Sequence, residues 1–519
     1  MDILRAGAKP PARLFPDGIS LMPSSAKQIL AVDLGAESGR LIAGAWSGES
    51  ISLDVVHRFP NRPVRVLERL YWDVLDLHRE ILQGLRIAAG RLSGIASVGV
   101  DTWGVDFGLV GERGTLLGHP RHYRDPHTEN ILAEVDAKLP LDRIYAATGI
   151  QFMRFNSLFQ LAAMRRDENP LLGQAKNLLF MPDLFHYFLS GEMANELTNA
   201  STSQMLDPRT RLWRSDIVRE LGIPEGMLGK LVPPGTVLGP LRASVAQETG
   251  LGSIPVVAPA THDTAAAVAA VPVDPARAAS GKWAYISSGT WSLLGLETRT
   301  PRLDGAARAA NATNEGGVDG TIRLLKNIMG LWIVQECRRA WEREGQALDY
   351  QTLTHLAAQA PAGGPLVDPD HASFMLPEHM PGALQAYCAR TAQEVPEGPG
   401  PILRCALESL AFKYRHVLEQ LEALAGTRAE VIHVVGGGCQ NRLLNQLTAD
   451  ACGRPVIAGP VEATAAGNIL TQALGLGLIG SLDDARAVVR RSFEISVHEP
   501  AGATLAEARY GFFKTLVGR

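Results

Sequence analysis

Residues 28–46, QILAVDLGAESGRLIAGAW, constrain this chain more than any other stretch. An apolar run (Ile29, Leu30, Ala31, Val32) meets Asp-Leu-Gly. A short polar turn follows (Ala36, Glu37, Ser38, Gly39, Arg40), and a second apolar run returns from Leu41 to Trp46. The pattern predicts strand, tight turn, strand. Gly35 and Gly39 free the backbone, so that amide groups of the turn can face an anion. Asp33, at the end of the first strand, is placed to hold a magnesium ion, directly or through water. A phosphate cradle beside a metal-binding carboxylate is one reading; an ordinary hairpin with a buried first strand is the other.

The chain has 519 residues, too many for one ordinary core, and its length predicts about two to four domains. A net charge of −4 gives no basic footprint for nucleic acid, and there is no acidic tail. Cys337, Cys388, Cys405, Cys439 and Cys452 are scattered without a CxxC pair, which argues against a zinc knuckle and for reduced thiols in the cytoplasm. No uninterrupted apolar stretch reaches the length of a membrane span; residues 256–271 come closest, but His262 and Asp263 interrupt them. The first 27 residues lack the apolar core of a secretory signal and read as a flexible extension, with Met22 an alternative start.

Strand and helix patterns alternate throughout, which favours α/β layers. Asp73 is placed to cap a helix running to about Leu92, with Ile81, Leu82, Leu85, Ala88 and Leu92 at helical spacing. Residues 95–111 read as two strands around a polar hinge, 157–190 as mainly helical, and 208–255 as mixed. PVVAPA (255–260) predicts a strand leading into an alanine-rich helix. A second hairpin, WAYISSGTWSLLGLE (283–297), repeats the plan of the first, which predicts two related halves facing each other with a boundary near residue 270. Beyond it come a helix from about Asn327 to Trp341, a loop-rich stretch (361–385), a helix (401–425) and a strand (430–435). Three glycines and two more helices complete the pattern.

Asp263, in THDT (261–264), falls where a buried strand becomes a helix. The helix dipole stabilises a carboxylate there, as a simple N-cap or as a general base for a hydroxyl. His262 reads equally as a ligand contact or a core histidine. Gly436, Gly437 and Gly438 remove side chains where a backbone must approach something closely, with a nucleotide as the natural candidate and a tight strand–helix turn as the plainer one. SGKWAY (280–285) fails the spacing of a P-loop. GLGLIG (475–480) follows a helical pattern rather than a strand, so its glycines read as helix packing and termination.

DLGAESGR, DTWGVDF, THDTAAAV, YISSGTW and VVGGGCQN, in that order, resemble the landmarks of the FGGY carbohydrate kinases, part of the actin-like ATPase and sugar-kinase superfamily. The stretches YRDPHTE (123–129), TGIQFMRFNSLFQL (148–161), LFMPDLFHYFLSGE (179–192) and NEGGVDGTIRLLKNIMGLW (314–332) are similar to the branch acting on L-rhamnulose, and the likeness runs from about residue 28 to 480. The resemblance implies an α/β fold of two ribonuclease-H-like domains flanking a central cleft. Residues 28–270 would carry the sugar site, residues 271–500 the ATP site, and a helix would close the chain over 501–519.

It also implies ATP and Mg2+, with L-rhamnulose converted to L-rhamnulose 1-phosphate and ADP. Asp263 matches the catalytic base. Ala36, Glu37, Ser38, Gly39 and Arg40 match the first phosphate-binding turn, Thr290 the second, and Gln335 and Gly437 further ATP contacts. Gly104, His262, Thr264 and Asn327 match sugar contacts, and Asp33 the aspartate near magnesium. Glu37 departs from the pattern, standing where some members carry serine; like charges repel, so its carboxylate should face solvent or metal rather than phosphate. Cys388 and Cys405 lie where some members have cysteines proposed to pair, although a cytoplasmic setting favours thiols. The expected partners are a small sugar and ATP, with neither nucleic acid nor membrane, for a monomer or homodimer. A kinase for another ketose and a non-catalytic sugar or nucleotide sensor are the alternatives; retention of Asp263, Thr290 and the glycine turns speaks against the sensor.

Overall fold

A computed structural model describes residues 27–501 and 503–517. The first sheet is built from β1 (Lys27–Leu34), β2 (Ser38–Trp46), β3 (Ile51–Pro60), β4 (Ile95–Thr102), β5 (Thr236–Pro240) and β6 (Pro255–Ala258), in the order β5-β6-β4-β1-β2-β3. β1 runs antiparallel to β2 and parallel to β4. The second sheet contains β7 (Trp283–Ser288), β8 (Trp291–Thr298), β9 (Thr313–Gly316), β10 (Ile322–Met329), β11 (Val431–Val435), β12 (Val456–Ala458) and β13 (Ser496–His498), in the order β9-β10-β8-β7-β11-β12-β13. β7 is antiparallel to β8 and parallel to β11, so β1 and β7 hold equivalent places in two sheets of one plan.

The faces of β1 explain how the halves meet. Side chains alternate along a strand. Leu30, Val32 and Leu34 join a core with α1 (Val74–Arg91), whereas Ile29 and Ala31 enter a second core between the halves. From the other sheet, Trp283 and Tyr285 of β7 enter the same shared core. Two helices of small residues pack together there, α2 (Asp263–Ala269) and α3 (Ala463–Gly475). α3 belongs to the second half by sequence, yet Gln472 Nε2 donates to the Leu30 carbonyl at 2.9 Å and accepts through Oε1 from Ser97 at 2.7 Å. The next residue along the inner face of β1 after Ala31 is Asp33, at the floor of the cleft between the halves.

Several expected elements form as read. Asp73 caps α1 by accepting from the Asp76 amide at 3.0 Å, and the helix stops at Arg91. Gly475 ends α3, and a Cβ there would lie 1.9 Å from the Gly235 carbonyl, so this glycine serves helix packing. Others differ. β1 starts at Lys27, which the expected extension had included; the rest of that extension and Met22 lie outside the described residues. Asn327 lies on β10 rather than in a helix, and the helix begins later, as Trp332–Arg343. β10 is buried on both faces, so its apolar run lacks the alternation of a half-buried strand. A strand, Asn177–Phe180, interrupts the helical stretch 157–190, and a helix, Met380–Arg390, begins inside the expected loop. The five cysteines are free, with the buried Cys388 and Cys405 thiols hydrogen-bonded to each other. Among the described residues no helix is long and apolar enough to cross a membrane.

Candidate active site

The cleft of about 330 Å3 lies at the carboxyl ends of β1 and β7, and the two hairpin turns meet across it. In the first turn the Gly35 amide donates to the Ser38 carbonyl at 2.9 Å; in the second the Gly289 amide donates to the Trp291 carbonyl at 2.9 Å. Asn61 braces the first turn, donating from its side chain to the Gly35 carbonyl at 2.8 Å. The cleft wall includes Asp33, Ala36, Arg40 and Gly104, then His262, Asp263 and Thr264, and from the second half Thr290, Asn327 and Gly437. Glu37, Ser38, Gly39 and Gln335 do not line it. Gly39 is buried where a Cβ would strike the Phe59 ring, and the Glu37 carboxylate turns outward to Arg339. Gln335 leaves its side-chain oxygen buried and unpartnered.

Asp263 opens α2, and its Oδ1 accepts from the Thr264 amide and hydroxyl. About a third of its side chain remains exposed. The cleft walls remove much of the water around it, and the Asp33 charge adds repulsion, so its pKa is pushed up to about 6. A base acts only when ionised. kcat/KM is therefore expected to rise with pH through about 6 and to level off above it. A pH–rate profile checks this, and a profile flat from pH 5 to 8 would contradict it.

The THDT loop is fixed by a residue that the motif does not contain. Buried Glu196 accepts from the Thr261 amide (3.0 Å) and hydroxyl (2.7 Å) and from the Thr198 amide (2.8 Å). His262 is fixed from the opposite half. Arg323, fully buried on β10, points Nη2 at His262 Nδ1 (3.2 Å) and at Glu315 Oε2 (3.1 Å). A guanidinium only donates, so Nδ1 accepts and Nε2 carries the proton. Burial, then Arg323, holds the His262 pKa well below the ordinary value, so the ring stays neutral. Its Nε2 stands 3.5 Å from Asp263 Oδ1. Gly104 lies close by, and a Cβ there would come within 3.1 Å of that nitrogen.

Two further buried carboxylates lie beneath the cleft. Asp101, the register partner of Asp33, accepts from Asn468 of α3 at 2.6 Å and keeps its other oxygen unpartnered. Burial and the Asp33 charge raise its pKa well above the usual range. Asp106 accepts from the indoles of Trp72 (2.6 Å) and Trp103 (3.0 Å) and from Gln160 (2.8 Å), which holds Trp103 against the cleft. DTWGVDF contains both aspartates, but nothing local in it separates their roles. Asn327 spans the halves, its amide and side chain donating to Gln151 Oε1 at 3.0 and 3.1 Å.

The matching family models decide the kinship. Residues 28–270 match the N-terminal domain of the FGGY family of carbohydrate kinases, and residues 284–476 match its C-terminal domain. The chain belongs to the FGGY carbohydrate kinases. Within the family, it is 44% identical over 491 residues to a rhamnulokinase of Bacteroides thetaiotaomicron, covering 95% of this chain and 99% of that one. A rhamnulokinase of Oceanobacillus iheyensis is 39% identical over 466 residues, covering 90% and 97%. The FGGY fold is also that of a xylulose kinase from Lactobacillus acidophilus, with a TM-score of 0.77 at 15% identity over 94% of this chain and 97% of that one. A Plasmodium falciparum glycerol kinase gives 0.74 at 16% identity over 95% and 98%.

Membership of the FGGY family implies use of ATP. For magnesium, no group of three or more His, Cys, Asp or Glu side chains among the described residues could hold a metal by itself. Mg2+ in phosphoryl-transfer sites needs only one or two carboxylates besides phosphates and water. Asp33 fits that need. It is buried, lines the cleft, and has its pKa raised mainly by burial even though Arg40 Nη2 donates to its Oδ2 at 2.6 Å.

Proposed function

We propose that this chain transfers the terminal phosphoryl group of ATP to the C1 hydroxyl of L-rhamnulose, yielding L-rhamnulose 1-phosphate and ADP in the cytoplasmic catabolism of L-rhamnose. The observation that carries the chemistry is Asp263 at the head of α2, sharing one cleft with the turns at Ala36 and Thr290. The near full-length rhamnulokinase relatives support the choice of sugar. Five free cysteines suit a reducing compartment.

In this reading phosphoryl transfer rests on positioning and electrostatics. Ionised Asp263 takes the proton of the C1 hydroxyl while that oxygen attacks phosphorus in line. The bond to the bridging oxygen breaks, and its electron pair leaves with ADP. Ala36 and Arg40 face the phosphates from the first half, and the Thr290 turn faces them from the second. Gly437, beside which a Cβ would meet nothing within 4 Å, leaves room for the nucleotide. Asp33, directly or through water, would hold Mg2+, which neutralises phosphate charge when bound. Neutral His262 donates from Nε2 to a sugar oxygen, and Asn327 and Thr264 complete the sugar contacts. His262→Ala is expected to raise the sugar KM about tenfold and leave the ATP KM unchanged; steady-state kinetics with each substrate varied checks this. The position of phosphorylation is tested by phosphorus–proton correlation NMR of the product. The ester is expected on C1, and an ester on any other carbon would refute the assigned geometry.

A further inference from the structure

YRDPHTE and TGIQFMRFNSLFQL each contribute an arginine that the transfer step does not use, Arg124 and Arg154. Both line a second cavity of about 750 Å3, which joins the cleft at Ala36, Tyr123 and Thr290. Arg62 and Arg65, from the segment after β3, and Arg339, from the helix Trp332–Arg343, complete its cationic wall. Among the described residues, the guanidinium groups of Arg62, Arg65 and Arg154 have no hydrogen bond or ion pair. Arg124 has no carboxylate partner: it donates to the Tyr123 hydroxyl at 3.3 Å and stacks over Trp332, 4.3 Å from the ring centre. Arg339 is paired, with Glu37 and Glu336.

The wall sets five guanidinium groups against two carboxylates, Glu37 and Glu129. His122, also on the wall, adds no charge near neutrality, because burial lowers its pKa. Asp125 is turned away, accepting from the Leu70 amide at 2.6 Å and from His127 at 2.9 Å. Like charges gathered without partners focus a field in which an anion is the missing component. Several guanidinium forks suit the oxygens of a phosphate best. The vestibule shares Ala36 and Thr290 with the transfer site but extends beyond it: Gly436, Gly437 and Thr464 line only the cleft, and Arg62, Arg65, Arg124 and Arg154 line only this vestibule. The proposed reaction also turns a neutral sugar into a phosphate monoester dianion next door.

We infer that the vestibule is a second anion site, taking a phosphate dianion separately from the phosphates of the nucleotide. Its natural occupant, though not its charge, rests on the kinase reading. Two sources share this chemistry, the sugar 1-phosphate product and free inorganic phosphate.

The test is calorimetric titration of the full chain with inorganic phosphate, while a non-hydrolysable ATP analogue and Mg2+ fill the transfer site. Phosphate is expected to bind still, about tenfold more weakly in Arg62→Gln/Arg65→Gln. That variant is expected to keep kcat at saturating substrates within about twofold, which also shows that it folds. Displacement of phosphate by L-rhamnulose 1-phosphate would make the product the occupant; binding without displacement would make it free phosphate, and both uphold the site. Absence of binding, loss of binding when the analogue is present, or equal affinity in the variant would overturn it. No sugar enters the phosphate titration, so a chain that fails to turn over L-rhamnulose would leave these outcomes intact.

Discussion

Asp263→Asn is expected to bind ATP within about threefold of the parent chain and to lose about 10²–10⁴-fold in kcat, the usual contribution of a positioned general base. The amide keeps the size of the carboxylate and one acceptor oxygen for the Thr264 amide and hydroxyl, so the head of α2 should hold its shape. It cannot take a proton. The step in pH dependence near 6 should vanish together with the rate. ATP affinity from equilibrium titration and kcat from ADP release separate binding from chemistry. Turnover equal to that of the parent would remove Asp263 from the mechanism.

Gly467→Ala is expected to destabilise the chain by about 3 kcal/mol or more, at the upper end for overpacking, with an apparent melting midpoint about 5 °C lower or more. A Cβ at Gly467 would sit 1.8 Å from the Ala266 carbonyl, a backbone atom that cannot swing aside. Relief requires α3 to move off α2, which begins with Asp263 and whose partner helix anchors Asp101 through Asn468. Activity should therefore fall along with stability. Gly437→Ala is the control: a Cβ there meets nothing within 4 Å, so the melting midpoint should hold while the ATP KM rises. A Gly467→Ala chain that melts with the parent would show that the helix pair is not a tight joint.

The sequence carried the hairpins because glycines interrupt apolar runs there, and α1 because its cap and its spacing agree. It misled at Asn327, where β10 has apolar residues on both faces and its pattern does not separate strand from helix. Within the site, Asp263 and His262 were legible from one local motif. The groups that hold them were not. Glu196 reaches Thr261 from 65 residues away, Arg323 reaches His262 from 61, and Asn468 reaches Asp101 from 367. Such pairs leave no periodic trace; only the fold brings them together. A single hint existed for Arg323, a charged residue set among Ile322, Leu324 and Leu325, which in a buried strand calls for a partner.

The most direct measurement is ADP release by the purified chain with ATP and Mg2+, across L-rhamnulose, L-fuculose, D-xylulose, L-ribulose and glycerol. Preferential turnover of L-rhamnulose is expected, and it should disappear in Asp263→Asn. Preference for another of these acceptors, or ATP binding without turnover of any of them, would contradict the assignment.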